Sequence, residues 1–223
     1  MMHAEIDFIE RIAAEATHEI MNGLASIGQS VGLMEDLMAM GLIGGNKGFL
    51  GLGGRKSKGI DVRAKCEKSL ASVRSSINKT MNVSMALNRF IHGQDAEGKH
   101  ISAREAIETV EALMSRPARR RRTEIQVSSI EQFPDMNLKP AAAYRVLIGC
   151  LDALLAEAEP GTVIEIACRA QGDGVLFELS SGRPVSRNEE LAGLEVTAEK
   201  LKAEGGSLEI SGDGLSAFFP VVQ

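Results

Sequence analysis

The stretch EATHEIMNGLASI, Glu15 to Ile27, sets a histidine, an acid and an amide within five residues of one another on a helical pattern. Its surroundings extend that pattern. From about Ile6 to Met40, apolar residues at Ile6, Ile9, Ala13, Ala16, Ile20, Leu24, Ile27, Val31, Met34 and Met38 recur in steps of three and four. That spacing predicts a long amphipathic helix packed against other helices. At ~100° per residue, His18 falls about 160° from the Ile20 seam, and Asn22 about 160° from it on the other side. The two are i,i+4 neighbours on the face away from the core. His18 is therefore expected at the surface, where helix geometry alone does not separate a solvated side chain from a nucleophile.

A second helix of the same kind is predicted from about Ile60 to Ile91, along Cys66, Leu70, Val73, Ile77, Met81, Ser84, Leu87 and Ile91. The connector GLIGGNKGFLGLGGRKSKG, Gly41 to Gly59, joins the two into a helical hairpin. An apolar stripe that long has too little hairpin to bury it. A second copy would complete a four-helix bundle, so a homodimer is expected. The connector is not a phosphate loop. Gly48 and Gly53 have the spacing, but Gly54-Arg55 stands where Lys-Ser/Thr should follow, and no strand precedes it. It reads as a flexible linker.

IHGQDAEGKH, Ile91 to His100, ends the second helix and the pattern changes. SARE (Ser102–Glu105) is a capping box opening a helix to about Met114, and EIQVSSI (Glu124–Ile130) reads as a strand. Pro140 starts a helix to about Glu157. TVIEIACRA and GVLFELSS are strands joined by the hairpin signal QGDG. SRNE (Ser186–Glu189) caps a further helix that ends at Gly205-Gly206, and two strands linked by GDG close the chain. The second half thus runs α-β-α-β-β-α-β-β, an α+β sandwich with helices on one face of a mixed sheet. Two domains are expected, 1–98 and 99–223.

Composition narrows the class. The 223 residues are 44 % hydrophobic and 25 % charged, ordinary for a soluble protein, with 4 % aromatics and no Trp. A net charge of −5 argues against nucleic acid as the partner. Cys66, Cys150 and Cys168 are widely spaced, without a CxxC pair, and read as buried reduced thiols. No apolar run reaches the ~18–20 residues of a membrane span. The first residues carry acids where a signal peptide would be basic and then apolar, so a cytoplasmic protein is expected.

HEIMNGLASI resembles the H-box of sensor histidine kinases, H-E-[IL]-x-N-P-L-x-x-I, departing only at Gly23, where proline is usual. The C-terminal half resembles that family's ATPase domain over its whole length, with its nucleotide motifs erased. In RVLIGCLDALLAEA, Gly149 and Ala153 replace the asparagines that would hold Mg²⁺ and phosphates. SSGRP has Ser180 for the adenine-reading Asp and Pro184 for a glycine, and the lid shrinks to Arg183–Asn188. Structural features persist (Gly205-Gly206, the closing FFPV) where ligand-binding ones do not. Without those polar anchors, no nucleotide cofactor and no autophosphorylation are expected.

This construction resembles the dimeric histidine phosphotransferases of the ChpT type, degenerate kinases that relay phosphate between response-regulator receiver domains. The resemblance implies phosphotransfer through His18, with receiver domains as partners and a hybrid histidine kinase as a further candidate. The receiver would supply the Mg²⁺, so the chain would need no metal of its own. Imidazole, with a reference pKa near 6.5, is largely neutral at cytosolic pH and nucleophilic. Glu19 is a candidate for orienting the ring or taking its proton, with a solvated charge as the bland reading. Asn22 could position a water, which would make the protein a phosphatase. Ser26, Gln29 and Ser30, expected on the exposed side of the first helix, are candidates for docking the receiver. The competing class is a pseudokinase that binds a receiver or kinase without accepting phosphate. RPARRRRT (Arg116 and Arg119 to Arg122) is expected to be a solvated loop, with steering of an acidic partner second. His3, His92 and His100 have no metal-ligand spacing.

Overall fold

The computed structural model describes residues 2–39, 62–95, 100–130, 135–185, 189–212 and 214–221. Both long helices form: α1 spans Met2–Ala39 and α2 spans Val62–Gln94. The glycine-rich connector lies outside the described residues, as does the cap Ser186–Asn188. The chain divides into two compact units, Thr17–Asn82 and Met1–Ala16 with Val83–Gln223. The division falls inside the two helices rather than near residue 98, where the sequence places its domain boundary.

Within Thr17–Asn82 the helices run antiparallel, as successive cross-helix pairs show. Glu19 meets Lys79, Ser26 bonds Ser76 (3.1 Å), and Ser30 bonds Ser72 (3.4 Å). Gly23 lies so close to α2 that a Cβ there would run into Thr80 Oγ1. The inner face of this hairpin is therefore small and polar. Several of its larger apolar residues look outward, Leu24 at 50 % exposed, Ile77 at 40 % and Met81 at 55 %, while Leu37 is buried.

The other unit holds α3 (Ala103–Arg120), β1 (Glu124–Ile130), α4 (Pro140–Glu157), β2 (Val163–Gln171), β3 (Gly174–Ser180), α5 (Glu189–Ala203), β4 (Ser207–Ser211) and β5 (Gly214–Pro220). This is the α-β-α-β-β-α-β-β order read from the sequence. The sheet runs β1-β2-β3-β5-β4, with β1 parallel to β2 and the other pairs antiparallel. Alternation sorts its faces. Ile164, Ile166 and Cys168 of β2, Val175, Phe177 and Leu179 of β3, and Leu215, Ala217 and Phe219 of β5 are buried. Helix α4 packs over β3 and β5 and lies against both α3 and α5. The opposite face carries Glu165, Arg169 and Glu178, the last two paired at 2.9 Å. Turns follow their glycines: Gly172 takes φ +58° between β2 and β3, and Gly205 takes φ +84° after α5.

The first turns of α1 and the last of α2 belong to this unit. Phe90 is fully buried, with ring centroids 6.0 Å from both Phe8 and Tyr144. Ile12, Ala16, Val83 and Ala86 are buried alongside.

Helix α3 corrects the sequence reading. Ser102 caps it as expected, its side chain accepting from the Glu105 amide at 3.1 Å. It does not stop at Met114. It continues through Pro117 to Arg120 and closes when the Arg121 N–H donates to the carbonyls of Pro117 and Ala118. The arginine run is thus half helix rather than loop.

Candidate functional site

Helix α1 sorts the H-box residues by rotation. Its α2-facing side is fixed by Glu19, Gly23, Ser26 and Ser30. His18 precedes Glu19 by one residue and turns away by about 100°, and is exposed. Asn22 follows one turn later and is exposed as well. Gln29, eleven residues after His18, returns to within about 20° of the same direction and is exposed. His18, Asn22 and Gln29 therefore form one polar surface line.

Glu19 is not the solvated charge of the bland reading. Its carboxylate is buried, with Oε1 2.8 Å from Lys79 Nζ on α2. Ser26 and Ser30 are displaced from the exposed side where the sequence placed them. Their hydroxyls bond Ser76 and Ser72 across the hairpin, so Gln29 alone of the three docking candidates keeps the expected placement. The periodicity of large apolar residues predicts their seam as the inner face. The inner face is instead built from small residues, about 80° round the helix from the Ile20 position.

Helices α4 and α5 pack closely at Gly149. A Cβ on Gly149 would lie 2.5 Å from Leu194 Cδ2, so the two helices touch at this position. Ala153, one turn further along α4, is fully buried. A cavity of about 400 Å³ remains beside it, lined in part by Leu154, Glu157, Ser181, Arg183 and Pro184. Arg183 pairs with Glu159 at 2.6 Å, and that hydrogen bond and charge lower the Glu159 pKa and raise that of Arg183.

The arginine run, expected to be solvated, is partly engaged. Arg116 and Arg120, one turn apart on α3, both pair with Glu15 of α1, Arg120 at 3.0 Å. Arg11 pairs with Asp152 of α4 at 2.5 Å, and Arg121 Nη1 donates to the Ala156 carbonyl at 3.0 Å. The helical period through Pro117, which aligns Arg116 with Arg120, was the signal available in the sequence. Among the described residues, no group of three or more His, Cys, Asp or Glu could hold a metal ion. No described helix is long and apolar enough to cross a membrane.

No protein-family model and no curated protein matches the chain. Solved structures similar to it include the Acinetobacter baumannii histidine kinase AdeS, at 11 % identity and TM-score 0.48, covering 87 % of this chain and 96 % of that one. The cytoplasmic segment of the histidine kinase QseC is similar at 12 % identity and TM-score 0.45, with 79 % and 99 % covered. The catalytic domain of the histidine kinase ThkA is similar at 16 % identity and TM-score 0.47, with 56 % and 97 % covered.

Proposed function

We propose that the chain is a cytoplasmic histidine phosphotransferase that relays a phosphoryl group between response-regulator receiver domains through His18. The observation that carries this reading is the outward placement of His18 on a polar line with Asn22 and Gln29, in a motif otherwise matched to an H-box. The chemistry asks little else of the chain. An imidazole nitrogen attacks the phosphorus of a receiver aspartyl phosphate in line; the N–P bond forms as the O–P bond breaks, and the aspartate leaves as carboxylate. The reverse sequence hands the group to a second receiver. A receiver would supply the Mg²⁺ whose charge neutralises the transferring oxygens. Glu19, held by Lys79, fixes the rotation of α1, and the exposed Gln29 is the residue proposed to meet an incoming receiver.

The filled space at Gly149 supports a relay over an ATP-dependent kinase, since an asparagine there would drive into Leu194. The outward apolar stripe of both helices supports a homodimer, in which a second hairpin covers it. Asn22 beside His18 favours one further reading, a receiver phosphatase in which the amide positions water.

Labelled, phosphorylated receivers from the same genome, mixed with wild type and His18→Ala, test this. Acid-labile label on the wild type but not on the variant is the expected result. Faster loss of receiver label as free phosphate, with no labelled chain, would replace the relay with a phosphatase. If neither protein takes or releases label, the pseudokinase reading stands.

A further inference from the structure

A cavity of about 510 Å³ lies among α1, α3 and α4 in the unit that contains the sheet, walled by Arg11, Glu15, Arg120, Arg121 and Asp152 over Pro117 and Leu155. That volume is within the range of small-molecule sites. The cavity is apart from the erased nucleotide site at Gly149 and Ala153, and the relay does not use it.

Its charge balance is distinctive in an acidic chain. Arg11, Arg116, Arg120 and Arg121 meet two carboxylates, Glu15 and Asp152. The C-termini of α3 and α4 add roughly half a negative charge each, which leaves about one positive charge unbalanced. The excess rests on two guanidiniums that are already held in place. Arg121 is fixed by its bond to the Ala156 carbonyl and forms no ion pair among the described residues. Arg120 shares Glu15 with Arg116 and has a side chain 66 % exposed. A guanidinium has five N–H donors in a planar fork, so each retains most of its donors for a ligand.

We propose that this cavity binds a small phosphomonoester, its phosphate between Arg120 and Arg121 and its remainder over Leu155 and Pro117. One fork suffices for the two oxygens of a carboxylate, whereas two adjacent forks suit the three oxygens of a phosphate. A phosphomonoester carries about −1.5 to −2 at pH 7, enough to balance the excess. The buried Leu155 floor offers apolar surface to the organic part.

The test is calorimetric titration and thermal unfolding of the full chain in about 20 mM salt, where screening is weak. The probe is glycerol 3-phosphate, with sodium chloride at matched ionic strength as control. The expected result is a saturable heat and a rise in Tm beyond the chloride effect. In Arg121→Ala the Kd should weaken at least about tenfold, the usual order for a lost charged hydrogen-bonding group. Arg169→Ala, on the opposite sheet face, should bind as wild type. Should Arg121→Ala fail to fold by circular dichroism, Arg121→Gln replaces it with the same expectation. No saturable heat up to about 10 mM, or unchanged binding in the Arg121 variant, would overturn the proposal. So would stabilisation by polyglutamate without any by glycerol 3-phosphate, which would assign the patch to an acidic protein surface.

Discussion

Lys79 Nζ lies 2.8 Å from Glu19 Oε1, the ammonium side chain 44 % exposed and the carboxylate side chain 7 %. The pair is asymmetric: lysine can return to water, and glutamate cannot. Lys79→Met, which removes this cation from beside a buried carboxylate, should cost about 1–3 kcal/mol. Glu19→Gln, which removes the buried charge, should cost less. Urea unfolding of the two variants decides it, and the reverse order would mean that Glu19 is not anchored through Lys79.

Gly23 and Thr80 set how closely the two helices approach. Ala at a helix interior gains about 1 kcal/mol over Gly, but a Cβ at residue 23 runs into Thr80 Oγ1. Overpacking of this kind costs about 1–3 kcal/mol. Gly23→Ala should therefore be neutral to destabilising in wild type and stabilising in a Thr80→Ala background. A double-mutant cycle with coupling below about 0.5 kcal/mol would show the approach to be looser than the structure has it.

Placing an asparagine at Gly149 should not confer nucleotide binding on the proposed relay protein. Gly149→Asn displaces the Leu194 side chain and is expected to cost no more than about 1 kcal/mol. Millimolar ATP with Mg²⁺ should leave the Tm of both proteins unchanged. A clear upward shift in wild type, by mass action, would contradict the proposal that the chain takes no nucleotide.

The outward stripe predicts how the dimer fails. Leu24→Asp or Ile77→Asp places a charge where a second hairpin is proposed to pack, while in the single chain both positions are already substantially exposed. Sedimentation should show conversion from dimer to monomer with helicity largely kept. A monomeric wild type, or dimers that survive both substitutions, would remove the bundle from the proposal.

Burial pushes the Cys150 thiol up to about 12. Thiolate is the reactive form, so Cys150 in the folded protein should resist alkylation at pH 8–9, where an unfolded cysteine reacts. The sign for stability follows. Unfolded thiols begin to ionise near pH 8.5, so this group's contribution is intact below that and fades as pH rises toward 12. Mass spectrometry of alkylated protein with and without urea checks the first point, and early labelling of Cys150 would place it outside the core.

The order of elements was legible because each boundary carried local chemistry: Ser102 as a cap, Pro140 at a first helical turn, Gly172 and Gly205 at turns. The exposure of His18 and Asn22 was legible for the same reason, since helical period is a local property. What depended on a second element was not. Only α2 reveals that Glu19 faces Lys79 and that Ser26 and Ser30 turn inward, because a seam of large apolar residues is indistinguishable from one reserved for another chain. Helix α3 outran the reading at Pro117, a residue that stops many helices but here sits one turn before the end. The ion pairs of Glu15 with Arg116 and Arg120 join residues about a hundred positions apart, beyond any local pattern.

Strand β1 meets β2 in parallel, and the chain must pass through α4 before that pairing can close. The β2–β3 and β4–β5 hairpins need only their short turns, and hairpins of this kind close in about 1–10 μs. Joining β1 waits on a longer and entropically dearer loop. The sheet should therefore assemble from its antiparallel side, with β1 arriving late and leaving early. In native-state hydrogen exchange, β1 amides should open at lower free energy than those of β3, which is paired on both sides. Equal protection would mean that the sheet opens as one unit.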